Sequence, residues 1–318
     1  MKNKWIGIFV IVVVVVVVAL VVADALNNRT GKRGDNPYKL EVDQYYQVDP
    51  DMILYKEIRQ IRLGESKPFG LDYANGKLYL LLNKTVKIIS ERGEEISMIN
   101  LPDTARCIHV NGDLIYLGFR YYVGQYHQDG RLIKLWDPLG ENAVITSLAT
   151  KNEIVFVADA GNRRVLRYDT HGNIEMQFEG KRNADDAHGF IIPSAFFDLA
   201  VYQDELWVVN TGMHSFENYT DDGELRGFWD KISMKIEGFA GCCNPAQMTI
   251  DSEGNFITSE KGLVRIKIYK PSGELIGIVA APDKFKDAYY APEVTVNEQG
   301  VIFALDFETK MIRIFEKK

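Results

Sequence analysis

The chain opens on its longest apolar run. Ile6 to Ala23 reads IGIFVIVVVVVVVALVVA, eighteen residues without a charge. As a helix rising about 1.5 Å per residue, such a run just crosses a hydrocarbon core of roughly 30 Å. Lys2 and Lys4 precede it, and Trp5 stands at its edge, where an indole suits a membrane interface. Residues 1–25 therefore read as a signal-anchor transmembrane helix. A cleaved signal peptide is the competing reading, because Ala23-Asp24-Ala25 has the small-residue form of a cleavage site. The run is longer than the roughly 7–15 apolar residues usual in such peptides, which favours the anchor. Arg29, Lys32 and Arg33 follow the span, so the Lys/Arg count does not fix orientation. An apolar N-terminus ahead of a long polar-surfaced region usually exports that region. The bulk of the chain is thus expected in the periplasm or outside the cell. Residues 26–50 are rich in Asn, Asp and Gly and read as a stalk.

From residue 51 onward the pattern changes. No stretch holds a helical period; short β-type runs alternate with Gly, Asn and Asp turns. Two signals recur. One is a turn seen in SERGEEI, HQDGRLI, DTHGNIE, TDDGELR and KPSGELI, with Gly93, Gly130, Gly172, Gly223 and Gly273. The other is a strand following an earlier turn: GKLYLLL, GDLIYLG, NEIVFVAD, DELWVVN, GNFITSE and GVIFALD. The spacing in each series runs from the high thirties to the low fifties, the period of a four-stranded propeller blade. Six copies of the strand signal predict an all-β, six-bladed β-propeller over residues 51–318. Only five turn glycines occur, because the chain stops at IRIFEKK. The missing outer strand is supplied by DMILYKEIRQIRL, residues 51–63, which would close the ring and leave no open edge.

The wording of one blade carries a resemblance. VFVADAGNRRVLRYDTHGNI, residues 155–174, is similar to an NHL repeat, with Asp159, Asn162, Arg163, Arg164 and Val165 at motif positions. FITSEKGLVRIKIYKPSGEL and IFALDFETKMIRIF are weaker copies, while blades two and four depart from the pattern. The resemblance implies a six-bladed propeller used mostly to bind proteins, RNA or small ligands; a few members are enzymes. Fold alone does not assign activity. Asp159 and Asn162 read as turn-makers, since Asp can accept backbone N–H bonds and Asn tolerates left-handed backbone.

Blade geometry maps the loops. With strands a to d running outward and alternating in direction, the d–a links and b–c turns share one face, here the top. Three d–a links are longer than closure needs: residues 179–194, 230–245 and 280–292. Loops that outgrow their structural need are where binding usually sits. These links border blades four to six, so the top face on that side is the expected site for a protein partner or small ligand.

Composition narrows the partners. The 318 residues carry a formal net charge of −7, which disfavours nucleic acid. Three cysteines exclude a disulfide scaffold. Cys242 and Cys243 are adjacent, in FAGCCNPAQMTI at the entry to blade five. They could be packed thiols, a vicinal disulfide, metal ligands or a nucleophile. His188, in the first long link, His214, in the b–c turn of blade four, and Glu260, ending a b strand, complete a candidate ligand-binding set with the two cysteines. The four Cys and His side chains are the candidate metal ligands, in a set suited to zinc or copper. Asp159, Glu260 and Asp306 end equivalent strands and could ring the channel mouth; separate turn caps are the alternative. Cys107 reads as buried and inert, and His109 as lining the channel.

No nucleotide-binding glycine loop, zinc-protease motif, nucleophile elbow or haem-attachment motif occurs. The sequence therefore reads as a membrane-anchored extracytoplasmic binding or scaffold module more than as an enzyme, a propeller-type lyase or hydrolase being the third reading. The alternative is redox or metal chemistry at Cys242 and Cys243. No cofactor is assigned beyond a metal ion in that alternative.

Overall fold

The computed structural model describes residues 2–30, 42–181, 188–286 and 289–318. It divides into two units, Met1–Val42 and Asp43–Lys318. The first holds one helix, Lys2–Thr30. Its segment Gly7–Asp24 is long and apolar enough to cross a membrane, and none of that segment is buried against protein. Exposed Val, Ile and Leu all round a helix fit a lipid environment rather than a soluble core. Of the expected stalk, residues 26–50, the first five continue the helix, 31–41 lie outside the described residues, and Val42–Tyr45 form a single 3₁₀ turn.

The second unit is a six-bladed propeller of four-stranded antiparallel sheets. Blade one holds Pro68–Ala74, Lys77–Leu82, Thr85–Ser90 and Glu95–Asn100; blade two holds Cys107–Asn111, Leu114–Gly118, Val123–His127 and Leu132–Leu135. Blade three holds Ile145–Lys151, Ile154–Asp159, Arg164–Asp169 and Ile174–Phe178. Blade four holds Leu199–Tyr202, Glu205–Asn210, Ser215–Tyr219 and Leu225–Asp230. Blade five holds Gln247–Ile250, Phe256–Ser259, Ile266–Tyr269 and Leu275–Ala280. Blade six takes strands a to c from Glu293–Val296, Ile302–Asp306 and Met311–Lys317, and strand d from Tyr55–Arg62.

The expected closure is present. Tyr55 pairs with Lys317 and Arg62 with Met311, with one bulge between Glu57 and Arg59. Arg313 fastens the joint, reaching Glu57 Oε1 at 3.0 Å and Asp306 Oδ2 at 3.0 Å. Behind it, Leu78 and Leu80 of blade one pack with Phe303, Leu305 and Ile312 of blade six.

The recurring glycines have two reasons to be glycine. All five c–d turns place Gly at φ between 75° and 90°, in the left-handed region that side chains avoid. Each follows a register shift in strand c, the bulged form of a short hairpin. The later turns are also crowded by the outer strand of the preceding blade. A Cβ on Gly172 would lie 2.4 Å from Trp136, and one on Gly223 would lie 2.5 Å from Phe178. The hydrophobic core therefore lies between blades, in a cyclic series of clusters, and leaves the axis open.

Candidate functional site: the axial channel and the paired cysteines

The inner strands of all six blades line an axial cavity of about 900 Å³. Its mouth is built from d–a links and b–c turns, the face expected from the repeat. Ser194 and Phe196, Lys261, and Tyr289 and Tyr290 come from the neighbourhood of blades four to six. Residues 182–187 and 287–288, parts of two long links, lie outside the described residues.

Carboxylates on the channel wall tie blades together. Asp72 Oδ2 accepts the Val110 N–H at 2.7 Å, linking blade one to blade two. Asp198 joins three blades: its Oδ1 accepts from Ser147 Oγ at 2.6 Å and from its neighbour's Leu199 N–H at 2.9 Å, and its Oδ2 from the Met248 N–H at 2.7 Å. Burial raises the Asp198 carboxyl to about 6, against the pull of those hydrogen bonds. Glu293, hydrogen-bonded to the Leu71 backbone, is raised well above the usual range by burial and by the charges of Asp198 and Asp72. His109 lines the channel as expected, with Nε2 2.9 Å from Thr150 Oγ1.

The mouth has the opposite charge. Lys67, Arg106, Lys261 and Lys310 line it, with Glu308 as the acidic residue among them. Lys310 lies 3.9 Å from Glu65. Among the described residues, Lys67, Arg106 and Lys261 have no carboxylate partner. Lys67 lies 5.2 Å from the Phe69 ring centre, and Lys261 lies 5.0 Å from that of Phe196 and 6.0 Å from that of Tyr289. Cations poised over aromatic faces make a surface suited to an aromatic or amphipathic anion.

The cysteine pair sits at the edge of this mouth. Both are free thiols; Cys242 is exposed and Cys243 is 1% exposed. Their sulfurs are 3.1 Å apart, and Ser194 Oγ donates to Cys243 Sγ at 2.9 Å. Burial would raise the Cys243 thiol. Hydrogen bonds from Ser194 and Cys242, and the ammonium of Lys261, outweigh it and hold Cys243 below the ordinary thiol range. Cys242 is raised instead, first by its hydrogen bond to Cys243 and then by the negative charge there. Of the two thiols, Cys243 therefore gives up its proton the more readily and Cys242 the less.

Asn244 fixes this corner. Its Nδ2 donates to the carbonyls of Ala240 at 2.7 Å and Lys261 at 3.1 Å, and its Oδ1 accepts the Lys261 N–H at 2.9 Å. His214 joins through Nδ1, 2.6 Å from the Asn244 carbonyl oxygen. The link carrying the cysteines is thereby bound to the b–c turns of blades four and five.

The other expected site residues are placed differently. His188 Nε2 lies 3.3 Å from Glu217 Oε1, within a buried polar network of blade four that includes Asn210, Ser215 and Tyr219. Among the described residues no three His, Cys, Asp or Glu side chains converge to hold a metal, so Cys242, Cys243, His188 and His214 do not form the expected ligand set. Glu260, the other expected ligand-binding residue, lies inside blade five. It is 1% exposed and points into its own blade, 2.6 Å from Arg265 Nη2 and 2.9 Å from Lys267 Nζ. Asp159 pairs with Arg164 at 3.0 Å and also accepts from Asn162, and Asp306 pairs with Arg313. The three acids therefore cap their own blades rather than ring the channel. Cys107 is buried, and burial raises its thiol.

Sequence reasoning missed Ser194, Lys261, Asp198 and Glu293. Asp198 and Glu293 had a usable signal: each is an isolated acid at the start of an inner strand, in FDLAVY and PEVTV.

No family model matches the chain, and no curated protein matches it. Solved structures do. A streptogramin B lyase structure superposes with a TM-score of 0.60 at 12% identity, covering 83% of this chain and 98% of that one. A catalytically inactive virginiamycin B lyase from Staphylococcus aureus with quinupristin gives 0.61 at 14% identity, covering 83% and 100%. The WD40 β-propeller domain of Doa1 gives 0.57 at 10% identity, covering 83% and 97%. At such identities these likenesses establish one thing: the chain folds as a β-propeller.

Proposed function

We propose that this protein is a membrane-anchored, NHL-type propeller that binds a small amphipathic anion in its axial channel, outside the cytoplasm. The observation that carries this is the mouth: among the described residues Lys67, Arg106 and Lys261 lack carboxylate partners, and two of them lie over aromatic rings. A cavity of about 900 Å³ is in the range of small-molecule sites. Cations at the mouth would take the anionic group, while the apolar body enters the channel. The acidic wall below favours ligands whose charge stays at the mouth. The NHL-type assignment rests on the blade-three wording, and export rests on the apolar N-terminal helix.

The test uses the full chain in zwitterionic lipid nanodiscs, with 4-(trifluoromethyl)benzoate and the neutral 4-(trifluoromethyl)benzyl alcohol as paired fluorine NMR probes. The carboxylate is expected to bind more tightly than the alcohol. Replacing Lys67 and Arg106 together by Ala should weaken the carboxylate alone by about three- to thirtyfold, as loss of two partly exposed charge contacts at roughly 0.3–1 kcal/mol each implies. Equal affinity for both probes, or no effect of the double substitution, would overturn the reading.

A further inference from the structure

We propose that Cys242 and Cys243 form a reversible dithiol–disulfide site at the channel mouth, in which exposed Cys242 takes up a small disulfide and buried Cys243 resolves it. This goes beyond the channel ligand and does not depend on it. Four observations converge. The sulfurs are 3.1 Å apart, in direct contact with one another. Their exposures differ sharply, so an outside reagent meets Cys242 first. Cys243 is held as the better thiolate by Ser194 and Lys261, both of which line the channel. Asn244 and its partners lock the backbone that carries them.

The chemistry balances as follows. Cys243 thiolate takes the Cys242 proton as Cys242 Sγ attacks a low-molecular-weight disulfide, RSSR. The S–S bond of RSSR breaks as a Cys242 Sγ–SR bond forms, and RS⁻ leaves. The proton on Cys243 passes to that leaving thiolate, giving RSH. Cys243, again a thiolate, attacks Cys242 Sγ, closes the Cys242–Cys243 bond and expels a second RS⁻. The protein loses two electrons and one proton, and RSSR is reduced to RSH and RS⁻. Adjacent Cα atoms lie only about 3.8 Å apart, less than unstrained disulfides span, so the bridge is easily reopened by thiols. That suits a reversible site rather than a structural one.

The test equilibrates the full chain in non-ionic detergent with glutathione buffers from fully reduced to fully oxidised. Samples are acid-quenched, alkylated with N-ethylmaleimide and digested with trypsin, and the peptide spanning residues 236–261 is weighed. The wild-type peptide should pass from two maleimides to none, two hydrogens lighter, while the peptide bearing buried Cys107 stays reduced. Cys243→Ser should instead accumulate glutathione on Cys242, at least tenfold above wild type, because nothing resolves it. Cys242→Ser should leave Cys243 unmodified. Lys261→Met should move the midpoint of the exchange rate against pH upward. Two maleimides on the wild-type peptide in fully oxidised glutathione would overturn the proposal, and this reading needs no variant to fold. Equal glutathione retention by wild type and Cys243→Ser would also overturn it.

Discussion

Glu260→Gln tests whether blade five is built around a buried charge cluster. The Glu260 carboxylate lies between Arg265 and Lys267, with side chains 1%, 1% and 0% exposed. Removing the one anion strands two cations in a low-dielectric interior, which generally costs about 3–5 kcal/mol. Several carbonyls remain to both cations. Arg265 donates to Met234, Lys235 and Gly238, and Lys267 to Ile236 and Gly238. These bonds place the cost near the lower end. Lys267→Met is the informative partner. It removes a cation whose burial is itself unfavourable, and it leaves Glu260 held by Arg265 through two bonds of 2.9 and 2.6 Å. Gly238 O keeps its Arg265 donor at 3.1 Å. That variant should stay within about 1 kcal/mol of wild type, since Glu260 keeps Arg265 as its partner and no buried charge is left uncompensated.

Thermal unfolding of the full chain in detergent reads the difference. At roughly 2–4 °C per kcal/mol, Glu260→Gln should melt about 6–15 °C lower and Lys267→Met within about 4 °C. Burial lowers the Lys267 ammonium to about 8. A lysine depressed from its unfolded value costs the fold while it is charged. Wild-type stability should therefore gain from this group as pH rises from about 8 toward the unfolded lysine value, and Lys267→Met should lack that gain. A Glu260→Gln protein that melts with wild type, or a Lys267→Met protein that falls as far as Glu260→Gln, would refute the cluster argument. Were Glu260 instead a ligand residue, the Gln variant would keep its melting temperature and lose binding.

Deleting residues 51–63 removes the outer strand of blade six and exposes the strand ending at Lys317, so the propeller should lose its cooperative melt and become protease-sensitive. The full chain should stay with membranes through an alkaline wash, and deletion of residues 1–41 should release it with the propeller's melt intact. Asp198 and Glu293 bind protons more readily folded than unfolded, so both should contribute more stability as pH falls, the Asp198 share growing from about 6 toward 4. Asp198→Asn should remove the Asp198 share of that gain in melts taken across this range. Closing the Cys242–Cys243 bridge removes the more acidic thiol beside Lys261, so the advantage of the oxidised over the reduced chain in binding 4-(trifluoromethyl)benzoate should grow as pH rises, as titration by fluorine NMR would show.

The blades were legible because their punctuation is local. A turn such as HQDGRLI needs Gly130 for its backbone alone, so the requirement repeats wherever a blade repeats. Closure by residues 51–63 followed from counting, since six b strands against five turns leaves one outer strand unsupplied. The inter-blade stitches were not legible. Asp198 holds Met248 and Ser147, some fifty residues away in either direction, and nothing near Asp198 names those partners.

The site was half legible, and Glu260 and Lys261 show why. The repeat singled out Glu260 and passed over Lys261, because the acid, equivalent to Asp159 and Asp306, looked like the residue facing the channel. The two residues follow the strand Phe256–Ser259, and of the two only Lys261 lines the channel. Arg265, across the turn, decides which: it offers a buried fork that only the carboxylate can fill. Glu260 therefore turns inward, and Lys261 is left to the mouth, where Phe196, Tyr289 and Cys243 receive it. The same cluster shapes the thiols from below. Arg265, Lys267 and Tyr269 all hold carbonyls between Met234 and Gly238, the first half of the link that ends in Cys242 and Cys243. Asn244 pins its second half to Lys261. A residue chosen for fold and its neighbour chosen for chemistry thus share one turn, and a change at Glu260 should reach the cysteines through the link even though it touches neither.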